Sequence, residues 1–400
     1  MSPKYIEIIS QNLLLLCLVV LGIGQSFIFA SLPPIGREIG LTDVRISTLI
    51  TVGAAAFVVA AFMWGGIITR LGRVRSVIIG IACYAVTIVL TGVVLEEALA
   101  QNISAGHAYY WVFALRVIFA FGIAGVLPSI QAYLVAHSDV TRRSGTIAKI
   151  GASFSIGMIL GPACASLLSN FGLTAPFYII GFVAAVVCLL VVFFVQDSQD
   201  VRQFSKPPRL NWLTQPVMPF LLMSVLAILS VTGVQQIMGF LIQDRFHLDV
   251  SETTKQVGVA MMVMSCLSIF VQMILVPRFQ FGVVFLITTG VSLGLTAQFA
   301  FLFLNSYTGI LVAMGLFGAG FGFLFPGILT AQTLLVKDDQ QSRLASVNAS
   351  MQGLGAALGP VTLASLYQVG IHVPFIFLAL GLVFIISVFQ LCRKRLLSPS

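Results

Sequence analysis

Arg116 is the charge that this sequence sets deepest inside a long apolar run, residues 109–135. A guanidinium in such surroundings costs several kcal/mol or more unless it meets water or a partner. The chemistry it points to is anion recognition, because the planar fork holds a carboxylate through two parallel hydrogen bonds. Gln25 falls at comparable depth in the first apolar run, and its carbonyl offers Arg116 a purely structural partner. Thr232, Gln235 and Gln236 are the polar groups expected to face Arg116 from the second half of the chain, with Phe27 and Phe29 as apolar surface. Other chemistries are poorly served. None of the 13 Asp and Glu lies within an apolar run, and His137, at the end of one, reads as an interface residue. The six cysteines form no CxxC pair, so neither a zinc site nor a disulfide framework is expected. An enzyme needs a nucleophile with its base, or a metal cluster, and no grouping within the apolar runs supplies one. No cofactor or metal is expected.

Composition says what must hold Arg116 in place. Charged residues are 8% of the chain and apolar residues 58%, with a mean hydropathy of +1.05. A soluble domain carries about 25% charged residues, so most of the outer surface of this chain has to face lipid. Runs long enough to cross a bilayer, about 20 residues each, lie at 12–33, 47–69, 76–95, 109–135, 145–168, 176–196, 217–241, 257–276, 282–304, 308–335, 344–367 and 373–391. The first resembles a secretion leader, but it continues to Ala30 and similar runs follow, so it reads as a span. Short polar breaks separate the runs, except for Asp197–Pro216, rich in Gln, Ser and Pro. The chain is therefore expected to form an N-terminal six-helix bundle over 1–196, a linker over 197–216 and a C-terminal six-helix bundle over 217–400.

Charge sets the orientation. Of the 21 Lys and Arg, all but Arg37, Arg45, Arg245, Lys255 and the intramembrane Arg116 fall on the side that holds both termini and the linker. The positive-inside rule puts that side in the cytoplasm. The net charge of +8 comes from this bias and calls for no nucleic acid. A glycosylation sequon at Asn102-Ile103-Ser104 reads as accidental in a bacterial inner-membrane protein.

The two halves repeat. At a single displacement of 198 residues Gly122 matches Gly320, Pro128 matches Pro326, and Gly157 matches Gly355. Gly161-Pro162 then matches Gly359-Pro360, Gly172 matches Gly370, and Pro176-Phe177 matches Pro374-Phe375. Gly and Pro carry the strongest backbone constraints, so an ungapped register across three successive spans argues for two similar bundles. At the same displacement Arg116 corresponds to Met314, so the second half supplies no matching charge.

Several stretches resemble one family. Gly65-Gly66-Ile67-Ile68-Thr69-Arg70-Leu71-Gly72-Arg73 resembles the cytoplasmic loop signature of the major facilitator superfamily, G-x-L-a-D-r-x-G-r. The resemblance implies a tight turn made possible by the glycines, with Arg70 and Arg73 facing the cytoplasm. Thr69 stands where the family has an Asp that joins a charge relay between the bundles, and Asp139 in the next loop offers a substitute partner. Leu115-Arg116 through Gly122 and Gly125 resembles the helix 4 signature. Gly151 and Gly157-Met158-Ile159-Leu160-Gly161-Pro162 resemble the helix 5 signature of the antiporter branch, where small residues let helices approach closely and Gly-Pro bends the helix.

The resemblance spans the whole chain. It implies an all-α membrane protein with the major facilitator fold, two six-helix bundles related by pseudo-twofold symmetry, and a substrate site between the halves exposed alternately to each side. It implies a monomeric secondary active transporter that exports a small organic compound, with protons as coupling ion. The substrate would be a drug-like amphiphile, as in multidrug resistance, or an anionic metabolite such as a siderophore. The alternative is an importer or facilitator of a carboxylate-bearing small molecule, using the same Arg116. No carboxylate in a span marks the proton-coupling residue.

Overall fold

The computed structural model describes residues 3–138, 143–195, 217–336 and 340–397, and every regular element in them is a helix. The chain runs through α1 (Pro3–Glu38), α2 (Asp43–Leu71), α3 (Arg73–Leu99), α4 (Ala105–Ala136), α5 (Arg143–Leu168) and α6 (Ala175–Phe194). It continues through α7 (Met218–Phe246), α8 (Val250–Phe279), α9 (Val283–Phe303), α10 (Tyr307–Leu334), α11 (Gln341–Val369) and α12 (Val373–Leu397). All but α11 contain a stretch long and apolar enough to cross a membrane. α11 is long enough at 29 residues, but Ser342, Asn348, Ser350 and Gln352 lower its hydropathy. Large side chains such as Phe62, Phe182, Phe193 and Phe303 lie exposed on the helices, as lipid-facing surface requires. The linker expected over 197–216, and Asp139, fall outside the described residues.

Helices overrun the apolar runs at both ends. Polar caps explain several of the starts: Thr42, Ser104 and Ser306 accept from the backbone N–H groups of Arg45, His107 and Gly309 at 3.4, 3.4 and 3.0 Å. Between α1 and α2, Arg37 holds Asp43 through two parallel bonds of 2.7 and 2.8 Å.

The helices gather into two compact units, Met1–Gln203 with Leu248–Val259, and Phe204–His247 with Ala260–Ser400. The start of α8 thus groups with the first unit. Inside each unit the same packing recurs. In the first, α5 lies against α1 so closely that a Cβ on Gly157 would meet Val19 O at 2.1 Å, and one on Gly161 would meet Ser26 Oγ at 1.9 Å and Ile23 O at 2.6 Å. In the second, α11 lies against α7 the same way: a Cβ on Gly355 would meet Val225 O at 2.4 Å, and one on Gly359 would meet Thr232 Oγ1 at 2.3 Å and Leu229 O at 2.6 Å. Val19, Ile23 and Ser26 therefore correspond to Val225, Leu229 and Thr232, a displacement of 206 rather than 198. The α3–α4 and α9–α10 pairs repeat as well, with Gly80 against Gly122 O at 2.9 Å and Gly290 against Gly320 O at 2.8 Å.

Two helices are interrupted. α4 breaks at Ala124–Gly125, where Pro128 has no N–H to give the Ala124 carbonyl. Trp64 fills the gap, its indole donating to Phe121 O at 2.6 Å, and a Cβ on Gly125 would strike that ring. α8 widens into a π-helical turn at Val271–Leu275, just before Pro277. α5 runs unbroken through Pro162.

Candidate functional site

Arg116 lies on the face of α4 that packs against α2. Because α4 starts at Ala105 rather than Tyr109, the side chain sits roughly 16 Å into the helix at 1.5 Å per residue, deeper than the sequence suggested. It is 8% exposed. Its Nε donates to Leu49 O at 3.3 Å, and its guanidinium carbon stands 5.1 Å from the centre of the Phe119 ring. Gly53 makes this approach possible, since a Cβ there would lie 3.0 Å from one terminal nitrogen. The backbone carbonyl of α2 thus takes the role that Gln25 was expected to play, and Gln25 stays half-buried on α1 without bonding to Arg116. Among the described residues no carboxylate pairs with Arg116. Beside it is a small cavity, with room for about one water-sized body, lined by Ile28, Thr87, Ile88, Thr91, Leu115, Phe119 and Phe177 along with Arg116 itself.

The other expected binding residues are distributed between the units. Phe27 is fully buried in the first, its ring edge-on to Phe177 at 5.0 Å, while Phe29 is 9% exposed. In the second unit Gln235 and Gln236 are buried and Thr232 is half-buried, its hydroxyl bonded to Ile228 O at 3.0 Å and set against Gly359.

The loop signature resolves into separate parts. Only Gly72 makes the turn, at φ 90° and ψ 164°, joining α2 to α3 through a single residue. Gly65 and Gly66 lie on exposed helix with open space around them. Thr69 is exposed and bonds to Gly66 O at 2.8 Å within its own turn, Arg70 is exposed, and Arg73 is buried. His137 caps its own helix, with Nδ1 2.8 Å from Tyr133 O and its ring stacked on Tyr133.

Sequence reasoning missed three polar features. Gln332 on α10 is fully buried, and its amide nitrogen reaches Phe220 O, Ser224 Oγ and Asn348 Oδ1 at 3.0, 2.9 and 3.1 Å, tying α7, α10 and α11 together. By the repeat its counterparts in the first unit are Leu18, Leu134 and Ile150, all buried, so one unit is polar where the other is apolar. Arg245 caps α9, donating to Leu304 O at 2.9 Å and Phe301 O at 2.6 Å. Near the far ends of the helices carboxylates are bonded by tyrosines: Tyr178 donates to Glu96, and Tyr367 to Asp244 at 2.8 Å. Asp244 lies in the last turn of α7, though the apolar pattern put it outside a span. The signal was present for Gln332, a lone amide in an apolar run, but nothing marked its partners.

An all-helical membrane protein built from repeated, glycine-packed units is the architecture of a membrane transporter. The Major Facilitator Superfamily model matches residues 14–360, and the chain belongs to that family. Multidrug resistance protein 2 of Bacillus subtilis is 21% identical over 371 residues, covering 89% of this chain and 88% of the relative. Quinolone resistance protein NorA of Staphylococcus aureus is 21% identical over 373 residues, covering 91% and 90%. Among solved structures, a bacterial homolog of the human lysosomal transporter Spinster superimposes with a TM-score of 0.74 at 18% identity, covering 98% of each chain. The nucleoside transporter NupG gives 0.72 at 13% identity over the full length of both. The fold is the major facilitator fold, all-α, and the protein is a multi-pass membrane protein.

Proposed function

We propose that the protein is a secondary active exporter that moves a drug-like amphiphile out across a bacterial inner membrane in exchange for protons, by alternating access. It would act as a monomer, with both termini in the cytoplasm. The observation that carries this reading is likeness over about nine tenths of the chain to relatives named for multidrug and quinolone resistance. The packing is consistent with it: both units bind their helices through the same close glycine contacts, which makes each stiff enough to move as one body. Gln25 and Thr232, which keep accessible surface, are proposed to touch substrate together with Gln235 and Gln236, while Phe27 supports them from the core. Arg70 and Arg73 are proposed to steady the cytoplasmic side of the cycle.

The test is dye accumulation in inside-out vesicles with and without an imposed pH gradient. Accumulation that collapses with the gradient supports the proposal, accumulation indifferent to it defeats proton exchange, and none at all defeats export. A second reading has its own observation. Arg116 is buried with no carboxylate beside it among the described residues, which favours a carboxylate-bearing substrate such as a siderophore. Substituting Arg116 by Met, the residue at its counterpart, should abolish transport of anionic but not neutral compounds if that reading holds.

A further inference from the structure

We propose that the cavity beside Arg116 is a binding site for a single monovalent halide, chloride in the cell, which serves as the counter-ion of the buried guanidinium. The proposal stands apart from the substrate reading and can be tested without transport.

It starts from an imbalance of charge. Arg116 has five N–H donors and a full positive charge, and it meets one carbonyl, Leu49 O, and the face of Phe119. No carboxylate pairs with it among the described residues, although a buried cation without a counter-charge is among the costliest arrangements in a membrane. The void touches this side chain and no other charged one.

Size and walls select the occupant. The space beside the guanidinium suits one particle of water or halide dimensions. Five of the lining residues are apolar: Ile28, Ile88, Leu115, Phe119 and Phe177. Sulfate or phosphate, which need many donors, would be left unsatisfied there. A monovalent halide loses its hydration at lower cost than those oxyanions, and aromatic ring edges carry partial positive charge. Thr87 and Thr91 supply the remaining polarity. Their hydroxyls bond to Cys83 O and Thr87 O at 2.7 Å within α3, bonds that helical threonines exchange at little cost because each carbonyl keeps its backbone partner. Both can turn to donate to an anion.

The repeat supplies a comparison. Met314 occupies the position of Arg116 in the second unit, fully buried and uncharged, so the fold does not require a cation there. Where the charge is kept, a resident anion offsets it.

The test is thermal unfolding of the purified full-length protein in detergent, titrating chloride or bromide against gluconate at constant ionic strength. The expected result is a saturable rise of roughly 2–4 °C in the midpoint, lost in Arg116→Met. Crystals soaked in bromide should show an anomalous peak beside Arg116. A midpoint indifferent to halide means the void holds only water and overturns the proposal. Halide stabilisation that persists in Arg116→Met overturns it too. Should that variant fail to fold, Thr87→Val with Thr91→Val should weaken the halide response several-fold, and an unchanged response places the anion elsewhere and refutes the assignment. Vesicle transport measured in gluconate reports separately on export.

Discussion

Gly157→Ala adds one carbon at the tightest point between α5 and α1. That carbon would stand 2.1 Å from Val19 O and 2.9 Å from the Cα of Gly22, both backbone atoms that no rotamer change can clear. Ordinary carbon–oxygen contact is about 3.3 Å, so the helices must separate by about 1 Å along much of their shared length. Overpacking of this kind costs about 1–3 kcal/mol, and separation loosens the neighbouring Gly161–Ile23 contact as well. The control lies on the same helix: Gly151 has nothing within 4 Å of its would-be Cβ and is exposed. There alanine gains up to about 1 kcal/mol of helix propensity. The assay is the unfolding midpoint of both variants in one detergent, with Gly355→Ala as the counterpart in the second unit. Gly157→Ala and Gly355→Ala should fall clearly below wild type, and Gly151→Ala should not. Equal midpoints for Gly157→Ala and Gly151→Ala would refute the argument that backbone contact sets the register of α1 and α5.

Gln332→Leu should lower the unfolding midpoint by the equivalent of about 1–2 kcal/mol, because it strips Asn348 and Ser224 of a buried donor. Adding Ser224→Leu and Asn348→Ile, the buried apolar residues at the corresponding positions of the first unit, should recover most of that loss. Gly72→Ala places a side chain at φ 90° and ψ 164°, where only glycine is comfortable, and should cost about 1–3 kcal/mol by the same measurement. Arg245→Ala uncaps α9 and should speed amide exchange in its last turn about fivefold, whereas Arg245→Lys should restore part of the protection.

Hydropathy alone located twelve helices, because every backbone group in lipid must be bonded within its own helix. Their ends were misplaced wherever polar residues continue a helix past the apolar run, as at Glu96 and Glu97 on α3 or Asp244 on α7. The glycines of α5 were legible as close-packing residues, but their partners on α1 were not. Val19, Ile23 and Ser26 are ordinary residues, and the repeat that exposes them has a different displacement there. Arg116 could be recognised as a buried cation needing a partner. Which partner it found depended on Gly53, whose missing side chain opens the way to a carbonyl and leaves no mark in the apolar pattern. The glycines of the loop signature were read together as making its turn, yet Gly65 and Gly66 lie within helix and the turn is made at Gly72 alone, the one residue of that stretch with positive φ.

The α3–α4 hairpin is longer than its counterpart. Gly80 to Gly122 spans 42 residues and Gly290 to Gly320 spans 30, yet both pairs touch in the same way. The added length lies beyond those contacts: α3 has 27 residues against 21 in α9, about 9 Å more rod, followed by Ala100–Ser104. Growth at this tip has left the embedded register undisturbed. A short peptide spliced in beside Asn102 would ride on a stalk whose length the buried helices do not sense, which makes this tip a natural handle for labelling, cross-linking or antibody capture.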